Sequence, residues 1–367
     1  MRESKQSIRT AQDEIEGRYE TDGRLDLTFP GCTISLDTNN PQLLEKLNHY
    51  FAEFLSKEEQ SADIRILAIE ADEPEFDFDY TIKQPDPGKT KIKEEFVDFP
   101  DGRIVRKRLT GMHFLFGGSR HVAIGPCEAN DNQVVNFVNN RYIQHCLNRG
   151  YLLGHAAAVA REGKGIALAG FSGAGKSTLA LQLVARGLDF VSNDRLLVQR
   201  QNGTLDMLGV AKYPRVNPGT VLSNPFLEPV IPADERVDLE KIPSESMWDL
   251  EQKYDVFLDQ CFGPDRFHLQ AEMLGLVILN WKREPLPLTI DQVDVSERGD
   301  LLGAFMKAVG LFFEPEDGLP PPDLSPDVYI QALGDCPVFE FSGGVQFERA
   351  TDACMQFFDT GVMKEGD

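Results

Sequence analysis

The sequence predicts an α/β chain in two parts, an N-terminal α+β region followed by a larger α/β region that begins near Tyr151. Three observations carry that expectation. An apolar strand at residues 166–169 runs into the glycine-rich stretch GFSGAGKST and then into an apolar helix, a strand–loop–helix order. Upstream, apolar residues alternate with polar ones in several short runs, the period of half-buried strands. At 367 residues the chain is long enough for about two domains.

Composition narrows the function classes. The 37 Lys and Arg against 59 Asp and Glu give a formal charge of −22. A surface that acidic repels phosphate backbones and anionic lipid, so nucleic-acid and membrane-surface partners are not expected. Apolar residues make up 41% of the chain and include 24 Phe, enough for a buried core and incompatible with a wholly disordered polymer. No uncharged apolar run approaches the length of a membrane span, and the first residues carry no apolar core of a secretory signal. A soluble, cytoplasmic protein is expected. Cys32, Cys127, Cys146, Cys261, Cys336 and Cys354 are widely spaced and form no CxxC pair, so they read as small core hydrophobes.

Residues 1–20 are polar and read as a mobile lead-in, and residues 21–150 as the α+β domain. Leu25, Leu27 and Phe29, then Cys32, Ile34 and Leu36, alternate across a Pro30–Gly31 turn and predict a hairpin. Asn40 followed by Pro41 starts a helix whose apolar residues recur as far as about Ser56. A strand follows at 64–69. The acidic stretch 70–101, with Pro74, Pro85 and Pro87, reads as a long irregular excursion. Runs at 104–109, 112–116 and 121–124 predict an antiparallel meander, and 130–148 a second helix. The catalytic region is expected over 151–360, with a tail at 361–367.

The glycine-rich stretch comprises Gly170, Phe171, Ser172, Gly173, Ala174, Gly175, Lys176, Ser177 and Thr178. Nucleotide phosphates need several backbone N–H groups aimed into one concavity, which demands glycine where side chains would collide or φ is positive. The following helix adds its N-terminal dipole. Lys176 would bring a cation to the β- and γ-phosphates and Ser177 a hydroxyl to Mg²⁺.

A carboxylate for the metal is sought next. The helix ends at Gly187, and residues 188–191 predict a second strand leading to Ser192, Asn193 and Asp194. A right-handed crossover would set that strand parallel to and beside the first, with both ends open on one crevice. Asp194 is therefore the expected metal carboxylate. Lys212 and Arg215, in a Pro- and Gly-framed loop, are candidates for charge stabilisation, Arg215 foremost, although a charged loop is often just solvated surface. Trp281, Lys282 and Arg283, after a buried strand, are a lesser candidate for a second cationic site. Residues 301–313 predict an apolar helix in the core or at a subunit interface.

Residues 154–198, GHAAAVAREGKGIALAGFSGAGKSTLALQLVARGLDFVSNDRLLV, resemble the core of bacterial HPr kinase/phosphorylase and its related kinase group. Residues 337–350, PVFEFSGGVQFERA, resemble that family's closing strand and turn, whereas residues 1–150 do not resemble its N-terminal domain. The resemblance implies a P-loop kinase core of the HPr kinase and phosphoenolpyruvate carboxykinase type. It gives His155 the place of an active-site histidine; the residue alone reads more often as a core or capping group, and the match sets the two readings level. Asp194 matches the second acidic residue of a pair, but the first, a candidate general base, is Asn193 here. An amide accepts no proton at neutral pH, so Asp194 serves both metal and base, or His155 is the base, or little base help is needed. Asp206 falls where the family has a Glu near the metal, and equally reads as a loop carboxylate. HPr kinases are hexameric, which implies a homo-oligomer.

The expected function is therefore ATP- and Mg²⁺-dependent transfer of the γ-phosphoryl group to a hydroxyl, a serine of a protein or peptide. Two alternatives stand beside it: a kinase acting on a small molecule, and a nucleotide-binding regulatory module with little turnover.

Overall fold

Alternating apolar residues build a separate sheet in each of two units, Met1–Gly150 with Val309–Pro322 and Tyr151–Ala308 with Asp323–Asp367. The computed structural model describes residues 7–58, 61–85, 90–239, 241–242, 250, 252–316 and 318–364. The fold is mixed α/β with multiple sheets.

In the first unit, helix α1 (Ile8–Arg18) precedes strands β1 (Gly23–Phe29) and β2 (Cys32–Thr38), helix α2 (Pro41–Tyr50) and strand β3 (Ile64–Glu70). Strands β4 (Thr81–Ile82), β5 (Glu94–Phe99), β6 (Gly102–Lys107), β7 (Met112–Gly117) and β8 (Arg120–Gly125) follow, then helix α3 (Asp131–Leu147). The sheet order is β1-β2-β3-β8-β7-β6-β5-β4, with β3 parallel to both neighbours. The predicted hairpin and meander are present, as is the predicted start of α2, where the Asn40 side chain accepts from the Leu43 amide at 2.8 Å.

Several expectations need correction. The supposed lead-in contains α1: Ile8, Ala11 and Ile15, spaced for one helix face, are buried against Ile104, Leu115, Val122 and Ile124. Ser7 caps the Arg9 amide, and Asp101 takes both the Ser7 hydroxyl and, at 2.9 Å, the Ile8 amide. Residues 1–6 of the lead-in, 365–367 of the tail and Pro87 lie outside the described residues. The acidic stretch 70–101 is not wholly irregular, since it adds β4 and β5 to the sheet edge and stacks Phe76 on Phe78. Helix α2 stops at Tyr50 because the chain beyond pairs with β1: Leu55 bridges Leu27, and the Ser56 amide bonds the Asp26 carbonyl at 2.9 Å.

The second unit holds β9 (Leu152–Gly154), β10 (Ala156–Arg161), β11 (Lys164–Gly170), helix α4 (Lys176–Ala185), β12 (Asp189–Ser192), β13 (Leu196–Gln201) and β14 (Thr204–Leu208). The pair β15 (Arg215–Val216) and β16 (Tyr254–Asp255) forms a separate ribbon, and β17 (Gln270–Leu279), β18 (Leu288–Val293) and β19 (Val338–Gly343) complete the main sheet. Its order is β12-β10-β11-β17-β14-β13-β9, with β19 parallel to β17 and β18 beside β19. The predicted adjacency of β11 and β12 is wrong by one strand. Strand β10 folds back on β11 and takes the intervening place, its buried Ala156, Ala157, Ala158 and Ala160 demanding little room. Strands β11 and β12 nonetheless run the same way, each antiparallel to β10.

Residues 301–313 are not one helix. A single turn, Gly299–Leu302, is followed by irregular chain that buries Phe305 in the second unit. Residues 309–322 belong to the first unit, where Phe312 packs on Phe114 and Phe116 and its carbonyl takes a bond from the buried Arg141. The region expected at 151–360 is thus interrupted. Cys32, Cys127, Cys146 and Cys354 are buried.

Replacing Ile15 with Ala should cost the first unit about 2–4 kcal/mol in urea unfolding, the loss typical of a buried aliphatic side chain. An unchanged midpoint would show that α1 does not belong to the core.

Candidate phosphate-binding site

A cavity of about 840 Å³ opens around the loop between β11 and α4, lined by Ser172, Gly173, Ala174, Gly175, Lys176, Ser177 and Thr178 among others. The loop conformation follows from its glycines. Gly173 has φ +80° and Gly175 φ +94°, a region costly for other residues. A Cβ on Gly175 would also lie 2.5 Å from the Phe347 ring. The Ala174 carbonyl accepts from the Trp281 indole at 2.7 Å, and Trp281 meets Phe347 edge to face at 5.2 Å. The loop is thereby braced from behind by Trp281, two residues past the end of β17, and by the first residue of the closing helix Phe347–Thr360.

Helix α4 starts directly from Gly175 with no side chain capping it. Its first-turn amides have no intrahelical partners, and the helix dipole makes that end attractive to an anion. Lys176 donates from Nζ to the Gly170 carbonyl at 2.6 Å. Burial pulls its pKa down, with Asp194 opposing and Lys307 adding to the fall. Ser177 lines the cavity.

Across the cavity, the chain leaving β12 turns sharply, the Ser192 hydroxyl donating to the Arg195 carbonyl at 2.5 Å. That turn presents Asn193, Asp194 and Arg195. Asp194 accepts from His155 Nε2 at 3.0 Å and from Lys307 Nζ at 3.3 Å. Partial burial works against ionisation, but the His155 bond, Lys307 and Arg195 hold the carboxyl well below the usual aspartate range. His155 sits between β9 and β10 rather than within a strand, its amide bonded to the Phe305 carbonyl at 2.6 Å. His155 thus faces the Asp194 carboxylate through Nε2. The Asn193 Oδ1 atom is buried and has no hydrogen-bond partner among the described residues.

The cavity gathers six cations, Lys176, Arg195, Lys212, Arg215, Lys253 and Arg283, against two carboxylates, Asp194 and Glu284. In a chain of formal charge −22, that is a local inversion of sign. Arg215 lines it but also pairs with Asp255 at 3.1 Å. Burial lowers the pKa of Arg195 and of Lys212, whose charged neighbours are Arg195, Asp194, Arg215 and Asp255.

Asp206, Phe171 and Lys282 lie outside the cavity lining, whereas Thr178, Trp281 and Arg283 lie in it. Asp206 is absent from the cavity lining: it pairs in mid-strand with Gln199 and Glu272, and its carboxylate is held by Tyr151 at 3.0 Å and Gln270 at 3.2 Å. A strand interior, unlike a strand tip, does not bring it to the loop. Phe171 is half-exposed and outside the lining. Thr178 spends its hydroxyl on Thr220 at 3.0 Å. Trp281 and Arg283 reach the cavity, whereas the Lys282 amide pairs with Gly343. Lys307 was not foreseen; no local pattern links it to a carboxylate so far upstream. Arg195 carried a signal, its place directly after Asp194.

As to a divalent ion, Ser177 and Asp194 supply oxygen donors, and Mg²⁺ commonly takes few protein ligands and completes its shell with water and phosphate. Among the described residues no cluster of three or more His, Cys, Asp or Glu could hold a metal by itself. These donors would suit Mg²⁺ carried by phosphate, with Ser177 and Asp194 as its protein ligands.

No family model and no curated protein matches the chain. Among solved structures, the Hpr(Ser) kinase/phosphatase from Coxiella burnetii is similar at 13% identity and a TM-score of 0.27, covering 57% of this chain and 95% of that one. No helix among the described residues is long and apolar enough to cross a membrane.

Because the Asp194 pKa is lower folded than unfolded, its contribution to stability is full above the ordinary aspartate range and is lost as pH falls through the folded value. Asp194→Asn should lower the urea midpoint at pH 7 and do so less at pH 3, below the unfolded value of about 3.9. Equal effects at the two pH values would contradict the ion pairing.

Proposed function

We propose that the second unit binds a nucleoside triphosphate with Mg²⁺, ATP being the reference case, and passes its γ-phosphoryl group to a hydroxyl, a serine of a protein or peptide. The observation that carries this reading is the braced loop with left-handed Gly173 and Gly175, opening at an uncapped helix in a cation-rich cavity that holds Asp194.

The loop amides and the start of α4 would take the β- and γ-phosphates, and Lys176 would swing from the Gly170 carbonyl to them. When bound, Mg²⁺ would neutralise phosphate charge, with Ser177 and Asp194 as its protein donors. The acceptor oxygen forms a bond to the γ-phosphorus while the bond to the β-bridging oxygen breaks, and the diphosphate departs. The hydroxyl proton passes to Asp194 or to solvent. Asn193 lines the cavity beside Asp194 and, as an amide, would take no proton. His155 holds Asp194 in place. Arg195 and Lys212 would balance charge developing on the transferred group.

One observation favours a second reading, a module that binds nucleotide with little turnover. Both Asp194 oxygens already have partners, and its neighbour is an amide.

Transfer from γ-labelled ATP to protein in a lysate tests the first reading, whereas saturable binding without transfer supports the second. Lys176→Ala is expected to weaken Mg·ATP binding at least tenfold by calorimetry and to abolish transfer. Unimpaired binding and transfer in that variant would overturn the assignment of the loop.

A further inference from the structure

The cations of the cavity come from different segments, Arg283 from the chain that follows Trp281 and Arg195, Lys212, Arg215 and Lys253 from elsewhere. Behind the loop stand Trp281 and Phe347, packed on Ala174 and Gly175. On the Asp194 side stand Arg195 and Lys212, which interact electrostatically with each other and with Asp194, and next to them the ribbon of β15 and β16. That ribbon sets Arg215 opposite Asp255 and Val216 opposite Tyr254, so Lys253, directly before Tyr254, borders the same mouth. A terminal phosphate facing Asp194 would therefore meet its acceptor among these basic side chains.

A triphosphate already has much of its charge answered by Mg²⁺, Lys176 and the helix dipole. Lys212, Arg215 and Lys253 line the same cavity, and an acceptor that carries an anion would be attracted to them where a neutral alcohol would not. The Arg215–Asp255 pair is half-exposed, 47% and 41%, and an incoming carboxylate or phosphate can substitute for Asp255 on the guanidinium.

We propose that the phosphoryl acceptor carries an anionic group beside its reacting hydroxyl, received by Lys212, Arg215 and Lys253 on the Asp194 side of the cavity. This rests on the nucleotide reading above and deepens it by naming the chemical class of the second substrate. The overall negative charge of the chain makes this cation-lined mouth the place where an anion is attracted rather than repelled. A carboxylate or phosphate of a small hydroxy compound and an acidic residue flanking a serine in a peptide offer the same chemistry.

The test uses the whole protein saturated with Mg·AMP-PNP, so that the loop is filled, and calorimetric titration with matched probes. Glycerol is compared with D-glycerate and glycerol 3-phosphate, and a serine peptide with lysine flanks with one bearing aspartate flanks. At least one anionic probe should bind tenfold or more tightly than its neutral or basic counterpart, the small and peptide arms identifying the source. Lys253→Ala and Arg215→Ala should weaken that probe at least fivefold, with Lys253→Arg restoring it and AMP-PNP affinity within twofold of the parent. AMP-PNP binding without preference for any anionic probe, or a preference indifferent to both variants, overturns the anionic acceptor alone. Failure of AMP-PNP to bind overturns the nucleotide reading and this inference with it.

Discussion

The left-handed backbone at Gly173 and Gly175 is the constraint on which the second unit's site depends. It lets the chain leave β11 and enter α4 without a side chain filling the concavity between them. The turn is held, not merely allowed. Trp281 bonds the Ala174 carbonyl, and Phe347 occupies the space behind Gly175, so strand β17 and the closing helix both brace the loop. Parallel pairing of β11 with β17 and of β17 with β19 sets those braces at one end of the sheet. The loop thus draws its shape from residues more than a hundred positions away in sequence, and its helix begins uncapped where an anion would sit.

Asp194 is the second organising element. It is the carboxylate around which Lys176, Arg195, Lys307 and His155 are arranged, and without it the cations would face mainly one another. Lys176 bonds a loop carbonyl, and Lys307 bonds Asp194. Both contacts are partly exposed and formed by flexible side chains, which a phosphate–metal pair can redirect at modest cost. The buried, unpartnered Asn193 oxygen is the one acceptor at this turn that the described residues leave unanswered.

Much of this was legible in the sequence because it is local. The loop's glycines, Lys176, Ser177 and the strand leading to Asp194 occupy one short stretch, and the first unit's hairpin and meander follow from alternation. What escaped was set by pairing between distant segments. Strand β10 takes the position expected for β12 because it hairpins onto β11, a choice that apolar alternation leaves open. Lys307 reaches Asp194 through backbone pairing of its segment with Leu153 and His155, which no spacing encodes. Helix α1 was visible in Ser7, Ile8, Ala11 and Ile15 but masked by its charged neighbours, and residues 301–313 looked helical although their two halves serve different cores. Asp206 was expected at the metal on resemblance alone, and its place inside β14 removes it.

The claim that phosphates sit against the braced loop is tested most directly by the fluorescence of Trp281, whose indole touches that loop. In a Trp248→Phe background Trp281 is the sole tryptophan, since the chain has two. Titration with Mg·ATP, and separately with inorganic tripolyphosphate, should change its emission saturably, and Lys176→Ala should remove both responses. A folded protein whose Trp281 emission is indifferent to both ligands would contradict the account.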